Sequence, residues 1–102
     1  MSARYQYIAD VVGALAHEAR VEIVELLATR GMPVKEIMVK MNLAASTTSR
    51  HLSIMKRAGI VTCCRDKQRV IYSVALPCVL TLIAGVRERL EHLCGGLNSA
   101  AK

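Results

Sequence analysis

The side chains best suited to chemistry in this chain are four cysteines, Cys63, Cys64, Cys78 and Cys94, and three histidines, His17, His51 and His92. Cys63 and Cys64 are adjacent in the stretch TCCRD, and the basic run RDKQR overlaps its end. Thiolates are soft ligands that suit As(III), Sb(III), Cd(II) or Cu(I), and three of them suit a trigonal metalloid. On a regular strand neighbouring side chains point to opposite faces. The Cα atoms of adjacent residues are about 3.8 Å apart, below the usual disulfide range, so a vicinal disulfide needs a distorted peptide. Two readings of the pair stand side by side. In one, Cys63 and Cys64 work with Cys94 or Cys78 as a soft-metal or redox site. In the other, one thiol packs as a small hydrophobe and its neighbour is a small exposed strand residue.

Enzymatic chemistry has no residues to carry it. No Gly-rich phosphate loop, Ser-His-Asp order, H-E-x-x-H motif or paired catalytic carboxylates is present. Asp10, Glu18 and Glu22 read as a surface ion cluster, and His17, without an acidic partner at a suitable spacing, as structural.

The elements that must position the thiols follow from composition and periodicity. A chain of 102 residues suits one compact domain over 1–102, with 95–102 expected to be a frayed tail. A core this small gains from dimerisation. Hydrophobic residues make up 53 % of the chain, yet Phe and Trp are absent, so the core is aliphatic. A net charge of +6 and a pI near 9.5 point to a polyanionic partner, most often nucleic acid. The start, MSARYQYIAD, lacks the apolar run of a secretory signal. The longest apolar stretch, VALPCVLTLIAGV, is too short to span a membrane and contains Pro77. A cytoplasmic protein without a membrane partner is expected, with its thiols reduced.

Residues 3–16 carry a helical stripe, Ile8, Val11, Val12 and Leu15. A second helix, HEARVEIVELLATR, turns Val21, Ile23, Val24, Leu26 and Leu27 toward a core, and Gly31 stops it. Pro33 suits the first turn of a short third helix that ends near Asn42. In the fourth, LAASTTSRHLSIMKRAGIV, Ser46 or a neighbour is the expected cap, Leu52 and Met55 face inward, and Gly59 is the stop. The β-branched runs IVTCCR and RVIYSV, separated by DKQ, read as a hairpin. Pro77 opens a last helix to about residue 94, with Val79, Leu82, Ile83, Val86, Leu90 and Leu93 apolar. The fold class is mostly α with a small β-hairpin, α-α-α-α-β-β-α. A helix-turn-helix followed by a basic hairpin is a winged helix.

On LAHEARVEIVELL, STTSRHLSIMKRAGIV and the wing ending in VIYSV, the chain resembles the ArsR/SmtB family of bacterial winged-helix repressors. The resemblance covers nearly the whole chain. It implies a homodimer paired through the first and last helices, which binds a double-stranded DNA operator until an effector releases it. Ser46, Thr47, Ser49 and Arg50 match family positions that face DNA, and a helix N-terminus can enter the major groove. Arg65, Lys67 and Arg69 on the wing would neutralise phosphates. His51 fits the family's H-L pair, either contacting DNA or packed under the helix. Thr48 departs from the apolar residue usual at its position.

The resemblance also sorts the thiols. The helix before the recognition helix, where arsenic sensors of the family carry cysteines, is PVKEIMVKM here and has none. The last-helix positions used by zinc-type sensors hold Leu76, Cys78, Arg89 and His92, of which two can ligate. Cys78 and His92 lie about 21 Å apart along one helix, so they could meet only across a dimer. Cys94 matches one cysteine of the persulfide-sensing relatives, but the second helix lacks the other. The expected effector is therefore a metalloid or soft metal acting on Cys63, Cys64, Cys94 or Cys78, with cysteine oxidation or reactive sulfur as the alternative.

Overall fold

The computed structural model describes residues 2–94, and the tail expected over 95–102 lies outside them. Helix α1 (Ala3–Leu15) starts at Ser2, whose hydroxyl accepts the Tyr5 N–H at 3.4 Å. Helix α2 (Glu18–Thr29) starts at His17, whose Nδ1 accepts the Ala19 N–H at 3.2 Å. His17 is thus structural as an N-cap, a role that leaves no trace in spacing. Helices α3 (Val34–Met41) and α4 (Ala45–Arg57) are joined through Asn42, which takes the left-handed conformation at φ 55°. The Asn42 and Leu43 N–H groups close the end of α3 on the carbonyls of Val39 and Met38. Strands β2 (Val61–Asp66) and β3 (Arg69–Val74) form the hairpin, and α5 (Cys78–Leu93) closes the order.

The sequence reading needs three corrections here. A two-residue strand, β1 (Met32–Pro33), precedes α3 and pairs antiparallel with β3, giving a three-stranded sheet in the order β1-β3-β2. Pro33 accordingly stands at the N-cap of α3 in extended conformation, not inside its first turn. Ser46 does not cap α4. The N-cap is Ala44, with no side-chain hydrogen bond, because the helix begins ahead of the small polar residues.

The core is aliphatic. Ile23, Val24 and Leu27 of α2, Ile37 of α3, Leu52 and Met55 of α4, and Ile60 and Val61 at the root of the wing are buried around Met32. Gly31 brings the chain against β3 so closely that a Cβ there would fall 2.8 Å from Ile71 Cγ2 and 3.1 Å from the Tyr72 carbonyl oxygen. Helix α4 ends at Gly59, at φ +84°, with the Ile60 N–H returning to the Met55 carbonyl at 2.9 Å. The Ile60 carbonyl accepts the Ala75 and Leu76 N–H groups, which fixes the root of the hairpin to the end of α4.

One layer is unfinished. The α1 stripe is only partly inside: Ala14 and Leu15 are buried, whereas Ile8 and Val12 are exposed. On α5, Val79 and Ile83 face the core, and Leu82, Val86, Leu90 and Leu93 face outward. Between α1 and α5 runs an apolar groove lined by Val12, Leu15, Leu82, Ile83, Val86 and Leu90. It continues past Tyr7, Ile8 and Cys78.

Candidate nucleic-acid interface

Helix α4 is sharply two-faced. Thr48, His51, Leu52 and Met55 are buried, while Ser46, Thr47, Ser49 and Arg50 are exposed. The inward set follows the i, i+3, i+4, i+7 spacing of one helix face, so tertiary packing turns the other four residues to solvent. Thr48 fills an apolar position without penalty, because its hydroxyl donates to the Ala44 carbonyl at 2.9 Å. The lack of a side-chain cap leaves amide donors of the first turn open at a positive helix end. That end, with three hydroxyl side chains and a guanidinium beside it, can take phosphates and read base edges.

The helix-turn-helix is clamped at its start. Arg30, just past α2, forms a two-point ion pair with Glu36 in the first turn of α3, one of its bonds at 3.2 Å. The Arg30 guanidinium, by hydrogen bonding, holds the Glu36 carboxyl below its ordinary range. A second ion pair joins Arg87 of α5 to Glu25 of α2 at 2.8 Å, and it likewise holds the Glu25 carboxyl low. These pairs, not the expected cluster of Asp10, Glu18 and Glu22, are the ion pairs among the described residues; Asp10 accepts instead from Gln6 at 3.0 Å.

The wing carries the expected charges outward. Arg65, Lys67 and Arg69 are all exposed. The ladder runs from Val61 opposite Val74 to Asp66 opposite Arg69, so Lys67 and Gln68 alone form the turn. That pairing settles a register that DKQ left open, and Lys67 adopts the left-handed conformation at φ 60°.

The thiols are separated by strand geometry. Cys63 pairs with Tyr72 and is half-buried, and Cys64 pairs with Ile71 and is exposed. The alternation along β2 puts them on opposite sheet faces. Cys78 is exposed at the first residue of α5, beside the apolar groove, and Cys94 is half-buried at its C-cap. All four are free, and among the described residues no three of His, Cys, Asp and Glu gather as a metal site within one chain.

Sequence reasoning missed the partner of His51. This ring is 6 % exposed on the inner face of α4 and accepts a hydrogen bond from Arg20. Of the two roles open to it, packing beneath the helix is the one its burial supports.

An exposed, uncapped second helix of a helix-turn-helix, followed by a charged two-stranded wing, defines a winged helix-turn-helix DNA-binding protein. The comparisons agree. The sequence profile described as "Bacterial regulatory protein, arsR family" matches residues 17–62. The uncharacterized HTH-type transcriptional regulator Rv0081 of Mycobacterium tuberculosis is 38 % identical over 87 % of this chain and 79 % of its own. Its crystal structure superposes with a TM-score of 0.79 at 33 % identity, covering 100 % of both chains. The solution structure of a homodimeric winged helix-turn-helix DNA-binding domain, Mb0332 from Mycobacterium bovis, gives 0.80 at 31 % identity over 93 % of each chain. The chain belongs to the ArsR family of bacterial regulatory proteins. It is a DNA-binding regulator of transcription and not an enzyme. None of its described helices is long and apolar enough to cross a membrane.

Proposed function

We propose that the protein is a homodimeric repressor that binds an inverted-repeat operator in the cytoplasm and is released by a thiol-directed inducer. The observation that carries the DNA reading is the outward face of α4, where Ser46, Thr47, Ser49 and Arg50 surround an open helix N-terminus. Arg50 reads a guanine edge or a phosphate, and the hydroxyls and amides set the register on the backbone. Arg65, Lys67 and Arg69 flank the groove through phosphates. The apolar groove between α1 and α5 is covered by the same surface of a second copy, which makes the two α4 helices symmetric and the operator palindromic.

The wing is tested by salt. Each phosphate neutralised contributes about 0.9 to the slope of log affinity against log salt concentration. Combining Lys67→Asn, which tolerates the left-handed turn, with Arg69→Ala removes up to two contacts per protomer. The slope measured by fluorescence anisotropy is expected to fall by about 2 to 4 units for every duplex tested. An unchanged slope would show that the wing is off the DNA.

The exposure of Cys64 favours the thiol reading of the inducer. Because Cys63 and Cys64 face apart, one ion does not bridge them on an intact strand. A soft ion such as As(III), Sb(III) or Cd(II) draws its remaining thiolates from Cys78 or Cys94, including those of the second copy, while oxidation or sulfuration needs one reactive thiol. Either event pulls on the strand that joins α4 to the wing tip. In a DNA-release titration with arsenite, Cd(II) and a persulfide donor, Cys63→Ser and Cys64→Ser are expected to keep operator binding. Their response should be blunted by about 5- to 100-fold, the span of ordinary allosteric coupling. Wild-type responses in both variants would assign the pair to packing alone.

A further inference from the structure

Three basic side chains meet beneath α4. Arg20, in the first turn of α2, donates from Nε to His51 Nδ1 at 3.0 Å and from Nη1 to the Ala14 carbonyl at 3.1 Å. The His17 ring stands edge-on to His51 with centroids 4.6 Å apart. Ala14 belongs to the buried end of α1, so one guanidinium spans α1 and α4 from α2. Arg20 therefore touches both the layer proposed to dimerise and the helix proposed to read DNA.

We infer that Arg20 is the positioning residue for α4, holding it to the end of α1 through a neutral His51 ring, and that protonation of His51 breaks this link and lowers DNA affinity. Nδ1 accepts the Arg20 N–H only while it carries no proton. A proton there sets two donors face to face and places a positive charge beside a guanidinium. The titratable groups acting on His51 are His17 and Arg20 from the α2 side and Arg50 from its own helix; none comes from α1, α3 or the wing. All three are basic, and among the described residues no carboxylate acts on His51.

Burial, then His17, Arg20 and Arg50, push the His51 pKa below its ordinary value. The sign follows from linkage. The native arrangement binds this proton less readily than one in which α4 has left Arg20. The link is complete above the ordinary histidine value of about 6.5, weakens as pH falls through it, and is lost below the lower native value. Acid releases DNA without any inducer.

The inference rests on the proposed role of α4, and the experiment separates the two. An operator duplex is selected from a random pool at pH 7.5. Affinity is then followed by anisotropy from pH 7.5 to 5.5 at constant ionic strength, with helix content followed by circular dichroism. Wild-type affinity is expected to drop about tenfold or more at unchanged helix content, since one pH unit below a titration is worth about tenfold. In His51→Asn the amide oxygen replaces Nδ1 as acceptor and does not titrate, so the ratio of affinities at the two pH values should be near one. In Arg20→Gln the amide N–H remains as a donor to Nδ1 while the cation is gone, so the midpoint of release should move to higher pH. A flat wild-type profile, or the wild-type ratio in His51→Asn, overturns the inference. Should His51→Asn fail to fold, an unmoved midpoint in Arg20→Gln overturns it equally. Failure of the wild type to select any duplex at pH 7.5 overturns the α4 reading together with it.

Discussion

Leu82→Arg is expected to turn the protein into a folded monomer that no longer holds its operator. The position makes fold and assembly separable. Within one chain Leu82 is 47 % exposed and lines the groove between α1 and α5, so an arginine there can extend into water. Val79 and Ile83, the residues that α5 packs into the core, are buried and unaltered by the change. Helix content and thermal stability of the monomer should therefore change little, as for ordinary exposed positions.

In the proposed dimer the same side chain has no such outlet. The groove is apolar, and the charged groups at its margin include Arg87, itself a cation already paired with Glu25. Two arginines, one from each copy, would be buried without an acid, at several kcal/mol each. Even about 4 kcal/mol in total raises the dimer dissociation constant about a thousandfold. DNA binding falls with it, because two half-sites held by one dimer become two independent and weaker contacts. Sedimentation should show the monomer, circular dichroism the intact fold, and anisotropy the lost operator complex. A Leu82→Arg protein that sediments as a dimer would remove this groove from the interface.

The same exposed leucines show how far sequence reading reaches. Spacing alone placed Leu82, Val86 and Leu90 on an apolar helix, but spacing does not say whether such a face meets its own core or a second chain. Burial decides it: Ile83 is 8 % exposed and Val86 60 % on the same helix. The helix-turn-helix and wing were legible because Gly31, Asn42 and Gly59 punctuate helical stripes and a β-branched pair follows. Strand β1 was not, since two residues carry no period and pair with β3 only once the fold exists. The bond from Arg20 to His51 and the clamp from Arg30 to Glu36 cross from one helix to another, so no helical or strand spacing announces them. For Cys63 and Cys64 the alternation of faces was readable. Which of them lies inward was not, because the register against Tyr72 and Ile71 sets that phase.

Arg50→Ala should cost sequence recognition far more than general affinity for DNA. Arg50 is exposed on α4 between Ser49 and the buried His51, on the face that also carries Ser46 and Thr47. Its guanidinium is free of any ion pair among the described residues, so nothing must be broken before it meets a base. A bidentate contact to guanine discriminates by about 1 to 3 kcal/mol, and the proposed dimer makes it twice. Loss of both should lower operator affinity by about a hundredfold or more, at about 1.4 kcal/mol per tenfold. Non-specific duplex loses only the contribution of one charge per protomer. The two affinities, measured at one salt concentration, should therefore converge in the variant. The substitution also removes one of the cations that keep His51 neutral, so acid release in Arg50→Ala should begin at slightly higher pH than in wild type, slightly because burial is the larger cause. That residual shift is small beside the loss of recognition. Equal operator affinity in Arg50→Ala and wild type would mean that α4 does not read this DNA through Arg50.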